Sequence, residues 1–179
     1  MHLPAPTALF ANLPQRPPRA LRVEGTLPAS LCGTLLRNGV GEMEAFGRRC
    51  SHLFEADGGI TSLSFNGNAV FGHSRILNTV GRRQEQRSGK PLSGSRASWP
   101  RRVSAAVQGG GTNVANTHVI WWQNQCLALV ESSLPTRIDA NTLDVIDESD
   151  LNGVLLGPFS AHPHRLVSDD GWVGAAFGM

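Results

Sequence analysis

The fold class of this chain follows from residues 60–76, which read Ile60-Thr61-Ser62-Leu63-Ser64-Phe65-Asn66-Gly67-Asn68-Ala69-Val70-Phe71-Gly72-His73-Ser74-Arg75-Ile76. Two runs rich in β-branched and aromatic residues, 60–65 and 69–76, flank the dipeptide Asn66-Gly67. Asn-Gly suits a type I′ turn because both residues tolerate a positive φ. The stretch therefore predicts a β-hairpin.

Similar strand and turn signals occur along most of the chain. Residues 118–122 and 126–130 are apolar runs separated by Gln123-Asn124-Gln125, which predicts a second hairpin. Residues 126–130 are apolar on both faces, as in a strand covered by two layers. Further short strands are predicted at 33–37, 134–139 and 172–177, and the best helical candidate is a single turn near 148–152. This pattern predicts an all-β fold, either a sandwich, a barrel or a propeller.

Composition divides the chain into an extended N-terminal segment and one domain. Residues 1–30 contain six prolines, which predicts an extended coil along a surface, and residues 31–179 form the domain. A chain of 179 residues with 40% hydrophobic content can bury a core. Within the domain, residues 81–111 are rich in Arg, Ser and Gly and predict a long basic loop. Gln108-Gly109-Gly110-Gly111-Thr112 lacks the Lys-Ser/Thr of a phosphate-binding loop.

Charge and cysteine content narrow the class of protein. The net charge of +2 does not indicate a polyanion-binding protein. The stretch 81–102 could contact RNA, but Trp99 is its only aromatic residue, so a solvated loop is favoured and no specific nucleic acid is expected. Three cysteines without a CxxC pattern suit reduced thiols in a cytoplasmic protein. No signal peptide or membrane-spanning run is predicted.

Two histidines and one glutamate are the candidate site residues. Phe159-Ser160-Ala161-His162-Pro163-His164 places two imidazoles two residues apart, on one face of an extended chain. Histidine is the commonest metal ligand in proteins. Glu131 follows the apolar strand 126–130 and either meets solvent or accepts a hydrogen bond from a metal-bound histidine. On residue type alone, a surface or core position is favoured over a metal ligand for His162 and His164. The isolated histidines in strand-like segments are interpreted as structural, and these are His52, His73 and His118.

Five segments in order resemble motifs of the carotenoid cleavage oxygenases. Residues 31–39 (LCGTLLRNG) are similar to the family's L-x-G-x-x-x-R-N-G, and residues 52–60 (HLFEADGGI) to its H-x-F-D-G-D-G-M-I. Residues 116–117 (NT) and 127–135 (LALVESSLP) resemble N-T and L-A-L-x-E-G-G-x-P. Residues 138–143 (IDANTL) resemble L-D-P-x-T-L, and residues 159–163 (FSAHP) match F-(S/T)-A-H-P. The resemblance covers only the N-terminal part of the family's length.

The resemblance implies a partial β-propeller, the N-terminal blades of a seven-bladed carotenoid oxygenase-type fold. In that family four histidines hold a non-haem Fe(II), outer-shell glutamates orient some of them, and O₂ is added across a conjugated double bond of a carotenoid or apocarotenoid to give carbonyl products. His162 matches the first iron ligand and Glu131 an outer-shell glutamate, while His164 has no counterpart. The resemblance assigns no side chain a direct catalytic role here.

Departures from the family pattern lead to further expectations. The other three ligand histidines belong to later blades, so we expect the isolated chain to be inactive. Ser132-Ser133 stands where the family has Gly-Gly, which removes backbone freedom. An apolar polyene and O₂ are the implied partners, and a peripheral membrane contact and self-association through exposed sheet edges are further expectations. The alternative function is a non-catalytic β-rich binding or scaffold module that has lost the metal site.

Overall fold

Two antiparallel four-stranded sheets form most of the fold, which was obtained as a computed structural model describing residues 11–108, 112–167 and 173–176. The first sheet consists of β1 (Arg16–Ala20), β2 (Cys32–Glu42), β5 (Asp57–Asn66) and β6 (Ala69–Ile76). The second consists of β7 (His118–Trp122), β8 (Gln125–Leu129), β9 (Thr136–Ile138) and β10 (Val145–Glu148). The strand order is β1-β6-β5-β2 in the first sheet and β10-β9-β8-β7 in the second. The prediction of an all-β fold is confirmed.

Both predicted hairpins are present, but each turn differs by one residue from the prediction. Asn66 pairs with Ala69, so the first turn consists of Gly67 and Asn68. Gly67 has a φ of 58°, whereas Asn68 has no positive φ. A positive φ at the first turn position alone is typical of a type II′ turn, since the predicted type I′ requires it at both positions. In the second hairpin Trp122 pairs with Gln125, so the predicted loop is one residue too long. Its two turn residues have φ values of 46° and 59°, as type I′ requires.

Two small sheets complete the described strands. A hairpin of β3 (Glu44–Ala45) and β4 (Arg48–Arg49) follows β2, and a single turn of 3₁₀ helix (Leu53–Glu55) precedes β5. Near the end of the chain, β11 (His164–Val167) pairs with β12 (Val173–Ala176). The strand predicted at 172–177 is therefore present, although its two end residues lie outside the described residues. The helical turn predicted near 148–152 is wrong at its start, because residue 148 ends β10.

The segment predicted as a basic loop at 81–111 contains two helices instead. The first is α1 (Val80–Ser88) and the second is α2 (Trp99–Gln108). The Thr79 side chain accepts a hydrogen bond from the Arg82 backbone at the start of α1, and Gly89 ends the helix with a φ of 63°. Because α1 has few apolar residues, it lacks the periodic stripe that identifies a helix in a sequence. The Gly-rich residues 109–111 lie outside the described residues.

The main core cluster joins the two sheets. Ile60 from the first sheet and Leu77, which follows it, pack with side chains of the second sheet, all of them nearly inaccessible to solvent. A second cluster lies on the opposite face of β8 and joins that strand to the segment before β11. Strand β8 is thus covered on both faces, which confirms the prediction from its apolar composition. The second cluster consists of Leu127, Leu129, Phe159 and Ala161.

A close backbone approach explains one glycine of the 52–60 segment. The Gly58 backbone N–H donates to the carbonyl oxygen of Val114 over 2.7 Å. A Cβ atom on residue 58 would lie 2.2 Å from the carbonyl oxygen of Ala115, closer than any real contact. Glycine is therefore required where the two chain segments meet. This contact fixes the start of the second sheet against the first.

Candidate metal centre

The buried segment before β11 positions His162. The Phe159 ring is 2% exposed, and its backbone N–H donates to the carbonyl oxygen of Ser133 over 3.1 Å. The His162 N–H donates to the Ser160 Oγ over 3.2 Å, which forms a bend directly before the strand. The backbone is therefore anchored, whereas the His162 side chain is 68% exposed. Strand β11 begins at His164, so His162 lies in the bend directly before that strand, and the prediction that both imidazoles lie on one face stays a prediction.

The structure places Glu131 next to His162. The strand β8 ends at Leu129, and the Glu131 side chain that follows it is 58% exposed. Its Oε1 is 3.9 Å from the Nε2 of His162. This distance fits an ion pair but is longer than the 2.7–3.2 Å of an N–H···O hydrogen bond. The outer-shell role of Glu131 stays a prediction.

His118 is a third member of this group, and sequence reasoning placed it among the structural histidines. It is the first residue of β7 and lies opposite Leu129 in the ladder with β8. Its ring centroid is 6.1 Å from that of His162, with an angle of 30° between the ring planes. The only signal in the sequence was the position of His118 directly after the family motif Asn116-Thr117. The alternation of residues along a strand does not show that a residue of another segment, here His162, lies beside it. The group His118, Glu131 and His162 is called the histidine cluster below.

Asparagine side chains connect the segments that surround the cluster. The Asn38 amide donates to the carbonyl oxygens of Ala115 over 2.8 Å and of His118 over 2.9 Å. The Asn116 amide donates to the carbonyl oxygen of Ala56 over 2.8 Å. Three of the segments singled out in the sequence, 31–39, 52–60 and 116–117, are therefore tied together by amide donors. They hold the start of β7, and with it His118, in a fixed position.

The other described histidines have different surroundings. His52 caps the 3₁₀ turn, where its Nδ1 accepts a hydrogen bond from the Phe54 N–H over 3.3 Å. His73 is 8% exposed within β6, and its Nδ1 is buried without a hydrogen-bond partner among the described residues. His164 is exposed at the start of β11. The structural reading of His52 and His73 agrees with these positions.

The histidine cluster fits only part of an iron site. Across residues 11–108, 112–167 and 173–176, no group of three or more His, Cys, Asp and Glu is placed so that it could hold a metal ion. The exposed imidazole of His162, on an anchored backbone, can serve as one ligand. A single imidazole leaves most of the coordination sphere to other groups. Of the described helices, none has both the length and the apolar character needed to cross a membrane.

Comparison with known proteins gives consistent results for sequence and fold. The retinal pigment epithelial membrane protein family matches residues 10–175. The apocarotenoid-15,15′-oxygenase of Synechocystis sp. is 36% identical over 154 residues, which are 79% of this chain and 30% of that protein. Resveratrol cleavage oxygenase 1 of Chaetomium globosum is 32% identical over 151 residues, 80% of this chain and 24% of that protein. This chain thus spans about a third or less of the length of these relatives.

Solved structures of the Synechocystis apocarotenoid oxygenase share the fold. The cobalt-substituted form superposes with a TM-score of 0.81 at 31% sequence identity, over 93% of this chain and 36% of that one. The two open four-stranded sheets therefore correspond to a part of a β-propeller, which confirms the predicted fold class. By sequence and by fold, this chain belongs to the retinal pigment epithelial membrane protein family of carotenoid oxygenases.

Proposed function

We propose that this chain supplies the first iron ligand, His162, of a non-haem Fe(II)-dependent carotenoid or apocarotenoid oxygenase. The reaction is the cleavage of a conjugated double bond with O₂ to give carbonyl products. The observation that carries the proposal is the exposed His162 imidazole on an anchored bend, 3.9 Å from the Glu131 carboxylate. The similarity to the Synechocystis apocarotenoid-15,15′-oxygenase supports the substrate class.

The residues of this chain would bind the iron and orient its ligands, and none of them would react with the substrate. Bound iron would supply the activation of O₂. His162 would contribute one neutral imidazole, which leaves the ion its full charge. Glu131 would orient an imidazole of the site through its ring N–H, because outer-shell carboxylates fix the tautomer and the ring direction of metal-bound histidines. With one ligand present, the isolated chain is expected to be inactive.

A non-catalytic binding or scaffold module is the second candidate. It is favoured by the lack, within the described residues, of a ligand set able to hold a metal. Such a module would keep the two sheets and their core but would bind no iron in any context. A cooperatively unfolding monomer without metal affinity would support this candidate.

The proposed substrates are an apolar polyene and O₂, as the proposed reaction requires.

Two further proposed contacts are based on exposed surfaces of the chain. Helix α2 exposes two apolar side chains one turn apart, Trp99 (74% exposed) and Val103 (43% exposed). Arg101 and Arg102 are exposed on the same helix. Exposed apolar side chains next to basic ones suit a peripheral contact with an anionic membrane. The outer strands of the two sheets offer unpaired backbone groups for self-association. The proposed location is the cytoplasm, and no specific nucleic acid is expected.

The test compares this chain with a longer chain that supplies the remaining blades. Iron content and apocarotenoid cleavage should both be absent in the former and present in the latter. In the longer chain, His162→Ala should abolish both, whereas the matched control His164→Ala should retain them. Iron binding and cleavage that survive His162→Ala would refute the ligand role. A longer chain without iron would favour the scaffold module.

A further inference from the structure

We propose that His118 is a positioning residue that holds the imidazole of His162 in the direction required for metal binding. This inference rests on the proposed role of His162 as a metal ligand. It assigns a function to a residue that the family motifs quoted above do not include.

The His162 ring needs an external constraint. Its backbone is fixed by the Ser160 hydroxyl and by the buried Phe159, but neither of these contacts acts on the ring. The side chain is 68% exposed, so solvent leaves several rotamers accessible. The Glu131 carboxylate at 3.9 Å is beyond hydrogen-bond distance and does not select a ring direction. A metal ligand must instead be held close to one geometry.

His118 can provide this constraint because its own position is fixed from two sides. Within the second sheet it pairs with Leu129, and the neighbouring Thr117 N–H donates to the Leu129 carbonyl oxygen over 3.0 Å. From the first sheet, Asn38 donates to the His118 carbonyl oxygen over 2.9 Å. The start of β7 is therefore held by both sheets. The His118 backbone is thus fixed, and its exposed ring and the His162 ring limit each other's rotation through their contact.

The geometry of the two rings is that of a stacked pair. Their centroids are 6.1 Å apart and their planes differ by 30°. Aromatic pairs interact favourably when their centroids are 4.5–7 Å apart. Stacking on one face therefore restricts rotation of the His162 ring. Asn38, His118 and His162 thus link the first sheet, the second sheet and the segment before β11.

The experiment measures ring order and metal affinity separately, in this chain. Nuclear magnetic resonance should show Overhauser contacts between the His118 and His162 ring protons, and scalar couplings should report one dominant His162 rotamer. In His118→Ala the His162 ring should exchange among several rotamers. In His118→Phe, which keeps an aromatic ring but has no ring nitrogens, one dominant His162 rotamer should be retained. The control His164→Ala should change neither. Co²⁺ titration, followed by broadening of the His162 ring signals, should give a dissociation constant about two- to tenfold higher in His118→Ala and near the unsubstituted value in His118→Phe.

The outcomes separate this inference from the proposed function. An unchanged His162 rotamer in His118→Ala, or a missing Overhauser contact in the unsubstituted chain, would overturn the positioning role. Equal loss of Co²⁺ binding in His118→Ala and His118→Phe would also overturn it, since His118 would then be a ligand itself. If a longer chain that supplies the remaining blades also binds no Co²⁺, that result would count against the proposed function, and the ring-order measurement in this chain would still decide the role of His118. If His118→Ala does not fold, the Overhauser contact decides.

Discussion

The guanidinium of Arg96 lies 2.9 Å from the carboxylate of Asp57, and both side chains are almost completely buried. Arg96 precedes α2, whereas Asp57 begins β5, so the pair connects the helical segment to the first sheet. Arg96 also lies 3.5 Å from Glu85 of α1, whose carboxylate accepts hydrogen bonds from the backbone of Leu92 and Ser93. Burial raises the pKa of the Asp57 carboxyl, and the hydrogen bond from Arg96 offsets part of that effect. The arginine therefore compensates charge that would otherwise be unpaired in the interior.

Removal of this arginine should destabilise the chain strongly. We expect Arg96→Met to lower the free energy of unfolding by about 3–5 kcal/mol, because Asp57 and Glu85 would remain buried without their partner. Urea denaturation measures the loss, and Arg101→Met on the exposed surface of α2 is the matched control. The double variant Asp57→Asn, Arg96→Met should lose less than Arg96→Met alone. A loss below about 1 kcal/mol in Arg96→Met would show that the pair is not a major stabilising contact.

Asn38 should be more sensitive to substitution than an exposed asparagine. Asn38→Ala removes two hydrogen bonds and should cost about 1–2 kcal/mol. Asn38→Asp should cost more, since it places a carboxylate oxygen against two carbonyl oxygens. Thermal unfolding measures both variants, with Asn68→Ala in the exposed turn as the control. If Asn38→Asp were as stable as the unsubstituted chain, the amide could not be the donor that joins β2 to the start of β7.

The hairpins could be predicted because their signals are local. Strand alternation and turn residues lie within a few positions of each other, so residues 60–76 contain the whole pattern. The one-residue shift of the turn arises because Gly67, which readily adopts a positive φ, occupies the first turn position instead of Asn66. The order of the family motifs also singled out His162 and Glu131, whose side chains lie 3.9 Å apart in the structure. These parts of the fold and site need little information from distant residues.

The helices and the contact of His118 could not be predicted in the same way. Helix α1 is held by ion pairs to distant strands, such as Arg82 with Glu42 at 3.0 Å, rather than by an apolar stripe. Its Arg-rich composition therefore resembles that of a loop. His118 meets His162 only because the second sheet and the segment before β11 share a buried cluster. Alternation along one strand does not show which residue of another segment faces it.

Thiol reactivity should distinguish the three cysteines. Burial raises the pKa of the Cys126 thiol to about 11 and also raises that of Cys50, while Cys32 is exposed. At pH near 8 the two buried thiols should stay protonated and shielded, so a disulfide reagent such as Ellman's should react rapidly with one thiol. After unfolding in urea it should react with all three. Cys32→Ser should abolish the rapid phase, and any rapidly reacting thiol left in that variant would contradict the assignment.

The turn between β9 and β10 should make a pH-dependent contribution to the free energy of unfolding. Backbone N–H groups of Thr142 and Asn141 donate to the Asp139 carboxylate and lower its pKa in the folded chain. The carboxylate therefore contributes stability above its ordinary pKa of 3.8, and this contribution is lost as the pH falls through the lower folded value. Asp139→Asn should have a melting temperature lower by about 1–3 °C at neutral pH. The difference should disappear near pH 2, and a constant difference would exclude this ionisation as its cause.

The ring of Phe159 should control both the stability of the chain and the position of the bend that carries His162. It packs with Leu127, Leu129 and Ala161 and is 2% exposed. Phe159→Ala should therefore cost about 3–5 kcal/mol, while Phe159→Leu, which fills much of the same space, should cost about 1.5 kcal/mol or less. Urea denaturation measures these losses. Amide hydrogen exchange at His162 reports on the bend, because the His162 N–H donates a hydrogen bond to the Ser160 hydroxyl within it. Because the anchor and the bend are adjacent, Phe159→Ala should accelerate exchange at His162 more than Leu127→Ala does at equal loss of stability. Equal acceleration in the two variants would mean that His162 is protected by the fold as a whole rather than by the anchoring of its own segment.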